Sequence, residues 1–153
     1  ELIKYLDQKK LNYRVDSTNP SLSYTRNKIR HRLLPLLREL NPNLEQNLAQ
    51  RTKLFQLIED YLNQQAQTFL KKALILDKRI SFSQRSYLAQ DQAIRLQIIK
   101  ESIRQIKGDL TNLQTIYLLE IEKIFIQRSK EKKEKRLQSL KFLKKDGKIL
   151  ITE

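Results

Sequence analysis

The sequence predicts a mostly α-helical protein with one long helix and a β-hairpin near its carboxyl end. Apolar residues recur at helical spacing along most of the 153 residues. Only two glycines and three prolines interrupt that pattern. Asp146-Gly147 lies between two short apolar segments, and this dipeptide favours the type I′ turn of a hairpin. These three observations define the expected fold class.

The amino-terminal part predicts two helices, a short one over residues 1–10 and a longer one over residues 24–40. A loop is expected between them, because Asn19-Pro20 is a turn signal. Pro35 lacks a backbone N–H, so the second helix should kink or restart just before it. The apolar residues of this helix form one stripe: Ile29, Leu33, Leu36 and Leu40.

A long helix should follow from Asn41, which can cap it, to about Leu74. Pro42 suits the first helical position, and no residue after it breaks the helical pattern. At 1.5 Å per residue the helix would span about 45–50 Å. Such a helix commonly connects domains. Four phenylalanines in apolar patterns are expected in the core rather than at a base-stacking surface: Phe55, Phe69, Phe82 and Phe125.

The rest of the chain alternates turns, helices and short extended segments. A turn is predicted over residues 77–79, then an extended segment over residues 80–82 and a short helical turn starting at Ser83. A helix over residues 91–106 has regularly spaced isoleucines, and Gly108 suits a left-handed cap at its end. Thr111 is expected to cap a further helix, which should end near residues 128–133.

The composition indicates a polyanionic partner. The formal net charge is +14, and half of it lies between Arg128 and Lys148. An acidic membrane surface is the alternative partner, but no apolar segment approaches the roughly 20 residues of a membrane span. The chain has no cysteine and one histidine, His31, so we expect no metal site and no disulfide.

One segment carries a specific motif. It reads Asp16-x-x-Asn19, then Tyr24-x-Arg26-Asn27-x-Ile29-Arg30, then Pro35-Leu36-Leu37, with Asn41-Pro42 shortly after. The pattern resembles the end of the catalytic domain of tRNA(Ile)-lysidine synthases. Those enzymes use ATP to join free lysine to the wobble cytidine of tRNA(Ile).

The resemblance implies a two-step reaction. ATP adenylates the C2 oxygen of the unmodified wobble cytidine, and the amine of lysine then displaces AMP. The full-length enzyme would bind ATP and magnesium in the cytoplasm or an organelle stroma, without a membrane partner. The family's Ser-Gly-Gly-x-Asp-Ser loop is absent from this sequence, which also lacks methionine. We therefore expect a carboxyl-terminal portion of a larger enzyme that is inactive alone and binds no cofactor.

The resemblance also implies a division of the chain into four parts. Residues 1–40 would be the tail of an ATP-pyrophosphatase-type catalytic domain, and residues 41–74 the connecting helix. Residues 75–128 would form a small helical domain that binds tRNA, and residues 129–153 a basic tail with the hairpin. No catalytic residue is expected in the chain. The residues expected beside the pocket are Asp16, Asn19, Arg26, Asn27 and Arg30.

The candidate RNA-binding residues are all basic. They are Arg26, Lys28, Arg30, Arg32, Lys130, Lys132, Lys133, Lys135 and Arg136. Guanidinium groups suit phosphates or carboxylates, and a strip of lysines can hold RNA phosphates without reading sequence.

Each of these interpretations has a structural alternative. Asp16, Asn19 and the motif arginines can stabilise a loop-to-helix junction without touching a substrate. The basic segment from Lys130 to Arg136 can be a solvated helix end or a linker, with Lys71-Lys72 and Lys144-Lys145 as weaker cases of the same choice. The whole chain can also be a stand-alone basic helical module that binds nucleic acid, or a helical protein-interaction domain.

Overall fold

The structure is a computed structural model that describes residues 2–11, 23–128 and 131–153, with the side chains of residues 2–4 outside that description. Its chain forms two compact units, Glu1–Lys53 and Leu54–Glu153. The described part is mainly helical, as expected, but its strands form a five-stranded antiparallel sheet instead of a lone hairpin.

The first unit contains short helices and the start of the long one. Helix α1 covers Leu2–Gln8 and α2 covers Thr25–Lys28. A π-helical segment, Ile29–Leu33, continues α2, and α3 covers Leu34–Leu40. The restart predicted before Pro35 is therefore confirmed. The predicted loop around Asn19-Pro20 lies outside the described residues.

The apolar stripe of the motif helix lies on the surface of the first unit. Leu40, at its end, is 75% exposed, and the other three members are also exposed. Helical periodicity identifies a stripe but does not say what covers it. The buried side chain of this helix is instead that of Asn27, which is 3% exposed.

The long helix is shorter than predicted. Helix α4 covers Leu44–Leu70, and Leu74 lies in a strand. The side-chain oxygen of Asn41 accepts a hydrogen bond from the Asn43 N–H at 3.1 Å, just before the helix. Phe55 was predicted to be a core residue, and this is wrong: it is 67% exposed, because only the last turns of α4 pack against the core.

The second unit combines the end of α4 with three helices and the sheet. Strand β1 covers Leu74–Leu76 and β2 covers Arg79–Ser83. Helix α5 covers Gln84–Leu88. Helices α6 and α7 cover Gln92–Lys107 and Thr115–Phe125. Strands β3, β4 and β5 then cover Lys133–Leu137, Leu140–Lys145 and Lys148–Thr152.

Local signals explain where these helices begin and end. Ser83 caps α5, where its hydroxyl accepts a hydrogen bond from the Ser86 N–H at 3.4 Å. Gly108 ends α6 with a left-handed φ of 86°. Thr111 was predicted to cap α7, but the helix begins at Thr115 with Gln114 at the cap position. Thr111 instead donates its N–H to the Asp109 carboxylate within a turn.

The sheet joins distant parts of the chain in the order β1-β2-β5-β4-β3. Asp146 and Gly147 both have positive φ, so the predicted type I′ hairpin between β4 and β5 is confirmed. Strand β5 also pairs with β2, where Ile151 lies opposite Ile80 and Ile149 opposite Phe82. These strands therefore pack with the helices around one hydrophobic core.

A row of aromatic rings runs through that core. Phe82 lies 5.2 Å from Phe69 and 5.7 Å from Tyr87, measured between ring centres. Phe125 lies 5.7 Å from Tyr87 and 6.4 Å from Phe142. Burial raises the pKa of the Tyr87 phenol, so this hydroxyl stays neutral. The core assignments of Phe69, Phe82 and Phe125 are confirmed.

Candidate nucleic-acid interface

The motif segment begins at an extended residue and continues directly into helix. Tyr24 occupies the position before α2 with φ −87° and ψ 132°, and its carbonyl accepts the N–H groups of Asn27 and Lys28. Asn27 points into the unit, while the neighbouring basic side chains are exposed. The two other polar motif residues, Asp16 and Asn19, lie outside the described residues.

Four basic side chains are presented on this segment: Arg26, Lys28, Arg30 and Arg32. The guanidinium of Arg26 lies 5.9 Å from the centre of the Tyr24 ring, which is within the range of a cation–π contact. Within the part of the chain that the structure describes, none of the four forms an ion pair with a carboxylate. Their N–H groups can therefore serve a phosphate or carboxylate from outside.

Arg30 and Arg32 lie in the π-helical segment. The Leu34 N–H at its end reaches back to the carbonyl of Ile29, five residues earlier. Pro35 follows directly and cannot donate a backbone hydrogen bond, which explains why the α-helical ladder is interrupted here. Single π-helical turns inside helices occur frequently at functional sites. Arg30 and Arg32 therefore lie on a wider turn than the α-helical turn that contains Arg26.

The second basic segment, residues 130–136, lies in a strand over its residues 133–136. Lys133, Lys135 and Arg136 belong to β3, so its interpretation as a solvated helix end or linker is wrong. The sequence favoured that interpretation because the segment is almost entirely charged. Strand β3 is an edge strand of the sheet, and charged side chains on an edge strand prevent pairing with another chain. Lys130 lies outside the described residues.

Glutamates accompany the lysines of this strand. Lys132 Nζ lies 2.8 Å from Glu134, Lys133 Nζ lies 3.2 Å from Glu131, and Lys135 pairs with Glu120 of α7. Hydrogen bonds from Lys132 and Lys141 lower the pKa of Glu134, and one from Lys135 lowers that of Glu120. A phosphate at this strand must therefore compete with carboxylates. Arg136 is exposed and has no such partner among the described residues.

Lys144 differs from the other candidate cations. It is 1% exposed on the inward face of β4, so it is not a surface contact for RNA. Lys145, its neighbour, is exposed and lies 3.8 Å from Asp146. Lys71 and Lys72 follow α4, and both are exposed. Arg79 and Arg85, which lie outside both basic segments of the sequence, are also exposed.

Among the residues that the structure describes, none forms a phosphate-binding loop or a metal site. Gly108 ends a helix and Gly147 lies in the hairpin turn, so neither glycine opens a helix as a phosphate loop requires. No cluster of three or more metal-ligating side chains occurs in the described ranges 2–11, 23–128 and 131–153. The described helices are all too short or too polar to cross a bilayer.

Several known proteins are similar to parts of this chain. Residues 1–37, which include the motif arginines, match the family described as the PP-loop domain. A tRNA(Ile)-lysidine synthase of a Thermotoga species is 36% identical over 72 residues, 47% of this chain and 17% of the relative. That of Porphyromonas gingivalis is 48% identical over 48 residues, 31% of this chain and 11% of the relative.

A longer match extends beyond the motif. The tRNA(Ile)-lysidine synthase of Geobacter sulfurreducens is 26% identical over 128 residues, which is 82% of this chain and 27% of the relative. The chain is therefore similar to tRNA(Ile)-lysidine synthases over most of its own length. It spans only a minor part of the length of these synthases, and the match extends well beyond residues 1–37.

Proposed function

We propose that this chain is part of an ATP-dependent ligase that joins lysine to the wobble cytidine of tRNA(Ile). The observation that carries the proposal is the match of the motif segment to the PP-loop domain, within a chain that resembles the named synthases. The net charge of +14 supports a polyanionic substrate. In this account the chain supplies tRNA binding and part of the pocket wall.

The proposed chemistry divides between this chain and the nucleotide-binding part of the enzyme. The cytidine C2 oxygen attacks the α-phosphate of ATP and releases pyrophosphate, and the amine of lysine then attacks C2 and releases AMP. ATP, with a magnesium ion, supplies the activating group. Because neither glycine here is suited to a phosphate loop, we assign none of the nucleotide binding to this chain.

Arg26 and Arg30 are the residues of this chain that we assign to the reaction face. Both are exposed and lack a carboxylate partner among the described residues. Their planar guanidinium groups can hold a phosphate or a carboxylate with two parallel hydrogen bonds. The buried side chain of Asn27 would hold the geometry of the segment, and we propose the same role for Asp16 and Asn19.

The remaining basic residues would hold the tRNA backbone. Lys28 and Arg32 flank the motif arginines, and Lys132, Lys133, Lys135 and Arg136 line the region of β3. We include Lys130 from its sequence position alone. Contacts of this kind position RNA without specifying its sequence. We keep the four-part division at residues 40, 74 and 128 as a proposal, together with a cytoplasmic or organelle-stromal location.

The purified chain provides a direct test. We expect residues 1–153 to bind unmodified tRNA(Ile) and, incubated with ATP and labelled lysine, to incorporate no lysine. Incorporation of lysine above background would contradict the proposal that another part of the enzyme binds ATP. A double-stranded DNA of similar length is the control. Equal affinity for DNA and tRNA at moderate salt would favour a general nucleic-acid-binding module instead.

A further inference from the structure

A polar groove of about 440 Å³ lies in the second unit, between the end of α4, strand β2 and helix α5. Small-molecule sites commonly occupy about 300–1,000 Å³, so the groove is large enough for a ligand. Its apolar lining includes Phe69 and Phe82, and its polar lining includes Gln65, Gln90, Ser86 and Lys72. It lies apart in sequence from both the motif segment and β3.

The aromatic residues of the groove are held in fixed positions. Phe69 and Phe82 meet edge to face with ring centres 5.2 Å apart. Phe82 is backed by the fully buried ring of Tyr87 at 5.7 Å. Phe82 is itself buried, so the half-buried ring of Phe69 is the aromatic surface that the groove offers to an unpaired nucleobase.

The polar side chains of the groove can bond to the edge of a base. Gln65 and Gln90 each carry amide donors and an acceptor oxygen. The Gln90 Nε2 donates to the Ser86 carbonyl at 3.4 Å, which leaves its second N–H and its oxygen for a ligand. The Watson–Crick edges of bases present such donors and acceptors only where the RNA is unpaired.

The charge of the groove favours a ligand that carries phosphate. Lys72 is the charged residue of the lining, which contains no acidic residue. Within the described residues, no carboxylate forms an ion pair with Lys72. Its ammonium group is therefore available to a phosphate oxygen at the mouth of the groove.

We propose that this groove binds one unpaired nucleotide of the tRNA. The base packs against Phe69, which Phe82 holds in place, and accepts hydrogen bonds from and donates them to the amides of Gln65 and Gln90, while the adjacent phosphate lies against Lys72. The proposal rests on the proposed function, because it requires an RNA substrate. It adds a specific contact to an interaction that is otherwise electrostatic.

The chain offers a matched pair of lysines for the test. Lys71 and Lys72 are adjacent and exposed, but only Lys72 lines the groove. We expect Lys72→Ala to weaken tRNA binding about five- to tenfold and Lys71→Ala to weaken it less than twofold. The double variant Gln65→Ala/Gln90→Ala should weaken it as much as Lys72→Ala. Thermal midpoints of the variants, measured beside the affinities, separate these effects from unfolding.

Chemical probing of the bound tRNA provides the second measurement. Binding of the wild-type chain should protect one unpaired base from base-modifying reagents. The same base should stay reactive when the Gln65→Ala/Gln90→Ala variant is bound. Equal effects of Lys71→Ala and Lys72→Ala, or no unpaired base protected, would overturn the groove proposal while tRNA binding itself survives. A wild-type chain that binds no tRNA would overturn the proposed function, and the groove proposal with it.

Discussion

Arg95 of α6 and Glu122 of α7 form an ion pair that joins the two helices in the second unit. The Arg95 Nε–H donates to Glu122 Oε1 at 2.8 Å, and the glutamate side chain is 4% exposed. Gln92 donates to the other carboxylate oxygen at 2.9 Å. Both oxygens of this buried carboxylate therefore have donors, and removing it leaves both donors without their acceptor.

We expect Glu122→Ala to destabilise the second unit by about 2–4 kcal/mol, because breaking a buried ion pair leaves an uncompensated charge. The measurement is the free energy of unfolding from urea titration. Lys123→Ala is the control: this exposed neighbour should change stability by less than about 0.5 kcal/mol. Equal effects of the two substitutions would show that the pair does not stabilise the fold.

The glutamates near β3 should give a pH-dependent stability. Lysine donors lower the pKa of Glu120 and Glu134 in the folded protein, so their contribution is present above the ordinary carboxyl pKa. It is lost as pH falls through the lowered values. The stability advantage of wild type over Glu120→Gln should therefore shrink to zero in acid. If the stability advantage of wild type persists well below the folded and the ordinary pKa of Glu120, the Glu120–Lys135 pair is not its cause.

Binding to tRNA should weaken steeply as salt rises. Each neutralised phosphate contributes about −0.7 to −0.9 to the slope of log affinity against log salt concentration. The measurement is the equilibrium affinity of the chain for tRNA at several potassium chloride concentrations. An affinity that does not change from low to moderate salt would rule out a mainly electrostatic interface.

Substitutions in and beside β3 should be able both to weaken and to strengthen tRNA binding. Neutralising Lys132 and Lys133 together should weaken tRNA binding modestly and leave turnover of the intact enzyme unchanged at saturating tRNA. Glu134→Gln should strengthen binding, because it removes the carboxylate that pairs with Lys132 and Lys141. If Glu134→Gln weakens binding, the lysines near this strand do not contact phosphate.

Local sequence signals predicted much of the fold. The isoleucines of α6, its end at Gly108 and the turn at Asp146-Gly147 follow from spacing and backbone preference within a few residues. The five-stranded sheet could not be predicted in the same way. The pairing of β2 with β5 joins residues about seventy positions apart, and β3 is so highly charged that its pattern resembles a linker.

The sequence motif could indicate candidate site residues but not the backbone geometry around them. The motif suggested Arg26 and Arg30, but the π-helical segment that contains Arg30 has no sequence signal beyond Pro35. The groove near Lys72 was missed because its lining comes from α4, β2 and α5, and only folding brings these elements together. Helical periodicity likewise could not reveal that Phe55 is exposed. It shows that residues share an apolar face, but not whether another element packs against that face.

We propose that Arg26 and Arg30 act at the reaction face. In the intact enzyme, Arg30→Ala and Arg26→Ala should each lower the rate of lysidine formation at least about tenfold, or about 1.4 kcal/mol in the barrier. Lysine at either position should not restore the rate, because the planar guanidinium is lost. Arg51→Ala, which removes an exposed arginine of α4, is the control and should have little effect.

The most direct measurement is steady-state lysidine formation by these variants, with the thermal midpoint of each measured in parallel. The account predicts that the Arg26 and Arg30 variants lose activity at an unchanged midpoint. If they lose activity only in proportion to the unfolded fraction, both arginines stabilise the helix junction, and their assignment to the reaction face is wrong.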